Sequence, residues 1–274
     1  MENESNEKEM CIGHVAKPYL SVEEINKMKI QNSRLISGFQ ALQLEKNAKK
    51  YWDLFYKRNE DRFFKDRHWT TREFKELLGL GNPSKAQRLL EVGCGVGNLI
   101  YPLLEDNINF EIIYACDLSP RAIEFVKNNK LFNPKIVAFQ TDITTTNCFE
   151  VISNKVHIAV LIFVLSSIHP DKFKSVLNNL YPVLDNNGVV LFRDYGQYDM
   201  TQLRFKPGHK ISENFYMRQD GTRSYFFTIE EVQNLFESTG FKTITCSYIE
   251  RRTINLKENI DVPRIFVQAK FMKV

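Results

Sequence analysis

The chain has 274 residues, 43% of them hydrophobic and 26% charged, with a formal net charge of +4. That balance is globular, and the length allows one large domain with additions. No apolar run approaches the roughly 18 residues of a membrane helix, and the five scattered cysteines (Cys11, Cys94, Cys116, Cys148, Cys246) form no CxxC pair or His/Cys cluster, so reduced thiols and no metal site are expected.

The first ten residues, "MENESNEKEM", are polar with more acid than base. This argues against a secretory signal and an Arg-rich presequence, so a cytoplasmic or nuclear location is expected. Residues 1–20 show no period, and 1–35 read as a partly disordered extension. "SVEE" (Ser21 to Glu24) predicts a capping box opening a helix. Helical pattern then runs to about Lys57 with a break near Gly38. Trp52, Phe55 and Tyr56 fall at i, i+3 and i+4, on one helix face. "TTRE" (Thr70 to Glu73) reads as a second box, with its helix stopping near Gly79 and Pro83 barring continuation. Residues 36–82 thus read as a helical lid. Over 46–75 there are ten Lys/Arg against five Asp/Glu, interleaved with aromatics that can stack bases or fill a core.

Residues 83–274 read as an α/β domain. Strands are predicted at 88–92, 111–116, 135–140, 156–163 and 188–194, and helices near 96–105, 119–129, 170–181 and 229–239. Ser119–Pro120 is an N-cap followed by proline at the first helical position, and "TIEE" (Thr228 to Glu231) caps the last helix before Gly240. Alternating apolar strands and helices predict a parallel sheet covered on both faces. Two closing strand patterns without a helix between them predict an antiparallel hairpin.

"LLEVGCGVGNLI" places Gly93, Gly95 and Gly97 where the first strand meets a helix. Open α/β sheets bind ligands beyond the carboxyl ends of their strands, and Asp117, Asp142 and Ile162 fall at or near the next three strand ends. A dinucleotide site reads G-x-G-x-x-G, whereas here Asn98 holds the sixth place. A second acid after the third strand and the terminal hairpin favour S-adenosylmethionine over a nicotinamide cofactor. On that reading the glycines admit the methionine part and Asp117 accepts the ribose hydroxyls. Asp142 accepts the adenine amino hydrogen, Ile143 presents a backbone N–H, and Ile162 packs on adenine. The plainer alternatives are a helix cap for Asp117, a turn residue for Asp142 and core for Ile162.

Several segments carry a resemblance: "YWDLFYKRNEDRFFKDRHWTTREF", "EVGCGVGN", "ACDLSPRAIEFVK", "LIFVLSSIHPDK", "LFRDYGQYDM" and "NFYMRQDGTRSYFFT". Together they resemble the methyltransferase-like family that makes 3-methylcytidine in tRNA, over nearly all of residues 40–272. The resemblance implies a Rossmann-like class I S-adenosylmethionine-dependent methyltransferase with a mostly parallel seven-stranded sheet, an insertion near 195–225 that binds substrate, and cytidine 32 of the anticodon loop as target. "HWTTREF" and "RQDGTRSYFFT" look like the serine-tRNA branch, which implies seryl-tRNA synthetase as partner and Trp52 and Tyr56 on the cofactor. "YDMTQLRFKPG" looks closer to the threonine/arginine-tRNA branch.

The chemistry needs little. Cytosine N3 offers its own lone pair, so alignment and charge stabilisation must carry the rate. Asp194 in "FRDYG" is the candidate for balancing the cationic product, or else a structural ion pair. Tyr195 can stack on the base. Arg193, Arg204, Arg218 and Arg223 read as phosphate or structural contacts. Lys65, Arg67 and His68 read as tRNA backbone contacts or lid braces, and His169 as a helix-start residue. A small-molecule methyltransferase would not need the basic aromatic lid, and a non-catalytic tRNA adaptor would show a damaged cofactor site.

Overall fold

The computed structural model of the chain describes residues 10–15, 19–63, 65–79, 86–255 and 260–274. The expectations for residues 1–9, for Pro83 and for the loop at 256–259 lie outside the described residues. Ahead of the glycine turn come β1 (Met10–Val15), α1 (Val22–Asn32), α2 (Gly38–Lys46), α3 (Ala48–Asn59) and the single turn α4 (Thr70–Glu73). The Ser21 box is complete. Ser21 N–H donates to Glu24 Oε2 at 2.8 Å, and Glu24 N–H to Ser21 Oγ at 3.3 Å, which satisfies two orphan donors. The break near Gly38 falls just before it, and Ser37 caps α2 through the Gln40 N–H.

The second predicted box does not form. Trp69 takes the cap position of α4 without a side-chain bond, and Thr70 Oγ1 donates back to the Arg67 carbonyl at 2.8 Å. Glu73 turns instead to the buried guanidinium of Arg251. Leaving that buried cation unpaired would cost more than a lost cap.

The α/β part runs β2 (Gln87–Val92), α5 (Ile100–Glu105), β3 (Phe110–Asp117), α6 (Pro120–Asn128), β4 (Ile136–Gln140), β5 (Val156–Ile162), α7 (Phe173–Leu180) and β6 (Leu184–Tyr195). Then come the single turn α8 (Met200–Leu203) and three short strands, β7 (Lys210–Ser212), β8 (Phe215–Met217) and β9 (Arg223–Tyr225). The chain closes with α9 (Ile229–Glu237), β10 (Phe241–Asn255) and β11 (Ile260–Lys273).

The large sheet has the order β1-β10-β11-β6-β5-β2-β3-β4. Strands β2 to β6 are parallel, while β11 runs antiparallel between β6 and β10. This is the expected seven-stranded sheet with its C-terminal hairpin, and β1 adds an eighth strand antiparallel to β10. Ile158 through Leu161 are fully buried, as expected of a parallel strand covered on both faces. The region 195–225 holds a separate three-stranded sheet, β7-β8-β9, that the sequence pattern did not reveal.

Strand order reverses beside β2, whose neighbours are β3 and β5. The crevice at the carboxyl ends of β2 and β5 is therefore the topological switch point. The N-terminal helices lie over it. Asp53 of α3 accepts from Ser119 Oγ at 2.8 Å and from the Arg121 N–H at 3.3 Å, which ties the lid to the start of α6.

Candidate active site

The glycine turn is the first part of the site. Gly93, Gly95 and Gly97 have φ of 64°, 56° and 95°, a region that penalises any Cβ. A Cβ on Gly93 would stand 2.7 Å from Val164 Cγ2, and one on Gly97 would collide with the Tyr101 ring. Those two glycines serve close packing. Gly95 faces the lid instead, where a Cβ would stand 3.0 Å from the Tyr56 hydroxyl.

Asp117, at the end of β3, holds this turn. Its Oδ2 accepts the Gly95 N–H at 3.0 Å and its Oδ1 accepts the Ser119 N–H at 2.9 Å. It is not the helix cap, because Ser119 Oγ takes that role toward the Ala122 N–H. Burial pushes the Asp117 carboxyl up to about 6, since desolvation disfavours the ionised form.

A cleft opens over the turn, lined by Trp52, Tyr56 and Arg67 from the lid side and by Gly93, Gly95, Asp117, Asp142, Ile143 and Ile162 from the sheet side. Eight of the nine residues expected at the cofactor line it, and Arg67, expected at the tRNA backbone, joins them; Gly97 does not, because it packs against Tyr101. Trp52 and Tyr56 share a face, with ring centroids 6.2 Å apart. Asp142 is also a turn residue, because its Oδ1 accepts Thr144 N–H at 2.9 Å and Thr144 Oγ1 at 2.7 Å. Ile143 and Ile162 are buried core residues as well as cleft lining. The residues fit S-adenosylmethionine: a carboxylate waits at a strand tip, and the backbone at Gly95 stays open only for want of a side chain.

A second cavity adjoins the first and shares Arg67 and Phe163 with it. Lys65, Arg193, Tyr195, Arg218, Arg264 and Phe266 are among its lining residues. Phe163 has φ of 59°, an unusual state for a bulky residue and of the kind that clusters at functional sites. Its N–H donates to the Arg193 carbonyl at 2.8 Å, and its ring lies 4.9 Å from Tyr195 and 5.4 Å from Phe266 between centroids. Guanidinium groups cover these faces: Arg218 sits 5.4 Å from the Tyr195 ring and Arg264 5.3 Å from that of Phe266. Arg193 is spent internally, 4.2 Å over Trp69. The cavity is therefore aromatic, flat-walled and cationic, which suits a nucleobase with its phosphates.

Other expected residues fall elsewhere. His68 is exposed and faces Asp106 at 3.8 Å, outside the lining of both cavities. Arg204 is exposed on a separate groove beside α1 and α8. Arg223 lines the cofactor cleft, where it pairs with Glu45 of α2 and donates to the Ser167 carbonyl at 3.3 Å. Asp194 is fully buried, between Arg193 and Tyr195, which both line the second cavity. Its Oδ2 accepts the Ser166 N–H at 3.0 Å and its Oδ1 accepts the Tyr195 N–H at 2.9 Å, and burial raises it to about 6. His169 Nδ1 accepts the Asp171 N–H at 3.3 Å, at the start of a short helical turn.

The sequence reading missed Phe163, Glu45 and Glu91. Phe163 looked like the end of an apolar strand, and only its backbone angle marks it. Glu91, two residues before Gly93, is buried 4.0 Å from Arg67, and burial pushes it up to about 8. Among the described residues no group of His, Cys, Asp and Glu has the makings of a metal site, and no helix is long and apolar enough to cross a membrane.

Sheet order, glycine turn, strand-tip acid and covering helices define the class I S-adenosylmethionine-dependent methyltransferases. The profile of a family described as Methyltransferase domain matches residues 90–190. Solved structures share the fold: an S-adenosylmethionine-dependent methyltransferase from Anabaena variabilis superposes with a TM-score of 0.61 at 15% identity, covering 83% of this chain and 96% of that one. A glycopeptide N-methyltransferase, MtfA, solved with S-adenosylmethionine, gives 0.52 at 13% identity over 81% of this chain and 96% of its own.

The chain belongs to the tRNA N(3)-cytidine methyltransferase family. It is 51% identical over 257 residues to the human tRNA N(3)-cytidine methyltransferase METTL6, covering 93% of this chain and 90% of that protein. It is 42% identical to tRNA N(3)-methylcytidine methyltransferase trm141 of Schizosaccharomyces pombe, over 87% of this chain and 98% of that one. To the METTL2 protein of Xenopus tropicalis, also named a tRNA N(3)-cytidine methyltransferase, it is 38% identical over 84% of this chain and 79% of the relative.

Proposed function

We propose that the chain methylates N3 of cytidine 32 in the anticodon loop of tRNA, that serine tRNAs are its substrates, and that seryl-tRNA synthetase is its partner. The observation that carries this reading is the wall of Phe163 and Arg67 common to the glycine-turn cleft and the cationic aromatic cavity. A donor on one side and a flat base on the other meet at that wall, where alignment supplies much of the rate. The names of the relatives support the tRNA substrate and the N3 position. The serine assignment rests on the "HWTTREF" and "RQDGTRSYFFT" segments.

Bound in the cleft, S-adenosylmethionine supplies an electrophilic sulfonium methyl group. Trp52 and Tyr56 close over that cleft from a lid formed by residues 36–82. Asp117 accepts from the ribose hydroxyls, Asp142 accepts from the adenine amine, Ile143 offers its backbone N–H, and Ile162 packs on the ring. N3 is hidden in a Watson–Crick pair, and a loop base pays least for extrusion. Phe163, Tyr195 and Phe266 sandwich the extruded base, while Lys65 and Arg218 hold neighbouring phosphates. Asp194 acts from behind Tyr195 as a buried negative charge toward the ring that becomes cationic.

Purified tRNA pools incubated with methyl-labelled S-adenosylmethionine, with and without seryl-tRNA synthetase, test the reading. Label is expected in 3-methylcytidine of serine tRNA, and more of it with the synthetase. Intact cofactor binding with label in no tRNA overturns the substrate, and label confined to threonine or arginine tRNAs overturns the serine assignment.

A further inference from the structure

We infer that Arg67 recognises the carboxylate at the amino-acid end of the methyl donor, and so fixes which end of the donor faces the nucleotide cavity. This rests on the cofactor reading of the cleft. Asp142 and Thr144 line the cleft, and so do Asp117 and the glycine turn. With adenine on Asp142 and ribose on Asp117, the amino-acid portion runs past the turn to the wall of Arg67 and Phe163.

A carboxylate drawn out of water needs a charged or well-placed donor. The cations lining the cleft among the described residues are Lys46, Lys49, Arg67, Lys172 and Arg223. Lys172 and Arg223 both engage Glu45, and Lys46 and Lys49 are exposed. Arg67 is different. Its side chain is 13% exposed, and its ion pair with Glu91 is 4.0 Å long, beyond hydrogen-bond reach. Burial raises Glu91 to about 8, so at neutral pH it is largely protonated and compensates the guanidinium weakly.

The backbone holds Arg67 beside the turn. Its N–H donates to the Asn98 carbonyl at 2.7 Å, and its own carbonyl accepts the Thr70 N–H at 3.0 Å. The guanidinium lies 5.8 Å from the Phe163 ring, on the wall common to both cavities. A buried cation delivered by fixed backbone next to a glycine turn, with its nearest acid out of reach, is an anion site. A phosphate of the RNA is the competing occupant, and the test separates the two.

Calorimetry compares S-adenosylmethionine with decarboxylated S-adenosylmethionine, which lacks only that carboxylate. The wild-type protein is expected to bind the complete donor roughly 10- to 100-fold more tightly, as for a charge-assisted contact. Arg67→Met should bring the two within roughly threefold of each other by weakening the complete donor alone, and Arg67→Lys should fall between. Equal wild-type affinities overturn the inference, and so does Arg67→Met that keeps the preference while weakening tRNA binding. If Arg67→Met does not fold, Arg67→Lys and the wild-type comparison decide. Binding of neither compound by the folded wild-type protein would instead be a failure of the cofactor reading.

Discussion

The hydroxyl of Tyr56 stands 3.0 Å from the point where a side chain on Gly95 would begin. Lid and glycine turn are thus in direct contact across the mouth of the cleft. Gly95→Ala combines a Cβ at φ of 56° with this collision, a strain of about 1–2 kcal/mol. Cofactor affinity should fall roughly tenfold as the lid is pushed back. Tyr56→Phe in the same chain should recover part of the loss, because it removes the colliding atom. Calorimetry of the single and double variants checks this, and purely additive losses would contradict it.

Asp117 should make cofactor binding depend on pH. Its carboxyl is raised to about 6, and only the ionised form accepts from two hydroxyls. Affinity should therefore be flat above pH 6 and fall toward tenfold per unit below it. Asp117→Asn should remove the inflection and weaken binding throughout, whereas Asp194→Asn should leave the inflection in place. A flat profile from pH 5 to 8 in the wild-type protein would remove Asp117 from the ribose site.

Asp194→Asn should lower both stability and rate. Both carboxylate oxygens accept backbone N–H groups, from Ser166 and Tyr195, so an amide must point its own donors at one of them. That mismatch costs about 1–3 kcal/mol, visible in chemical denaturation. After correction for the folded fraction, kcat should still be reduced with KM for tRNA unchanged. A rate that recovers fully on that correction would make the residue structural only.

Two arginines on neighbouring walls should fail differently. Arg218, over Tyr195 in the cationic aromatic cavity, should on Arg218→Ala weaken tRNA binding and reduce its salt dependence by about one log–log unit. Arg223, paired to Glu45 at the cofactor cleft, should on Arg223→Ala weaken cofactor binding and leave the salt slope of tRNA binding alone. Filter binding across a salt series and calorimetry read the two effects, and an exchange of phenotypes would invert the assignment.

The sheet was legible because its strands are apolar and bounded by punctuating residues. Predicted strand 135–140 appears as Ile136–Gln140 and 156–163 as Val156–Ile162. Ser119, with proline following, caps as expected. "TTRE" misled because a local pattern cannot reveal that Arg251, far along the chain, needs Glu73. β7 to β9 are three residues each, too short to show alternation. Within the site, residues at strand tips could be read from the sequence. The separation of Arg223 from Arg218 could not, since it depends on which acid each arginine meets in space.

The order of synthesis bears on the ties between the N-terminal helices and the body. Gln31 bonds Gln202 across 171 positions, Glu45 bonds Arg223 across 178, and Glu76 bonds Lys270 across 194. At ribosomal speeds this segment must wait roughly 10–40 s for these partners. Helix α1 and the lid helices α2 and α3 have 11, 9 and 12 residues, too short to persist alone in water. A segment made well before its partners is consequently among the last to take shape, and during translation the cofactor cleft has no roof.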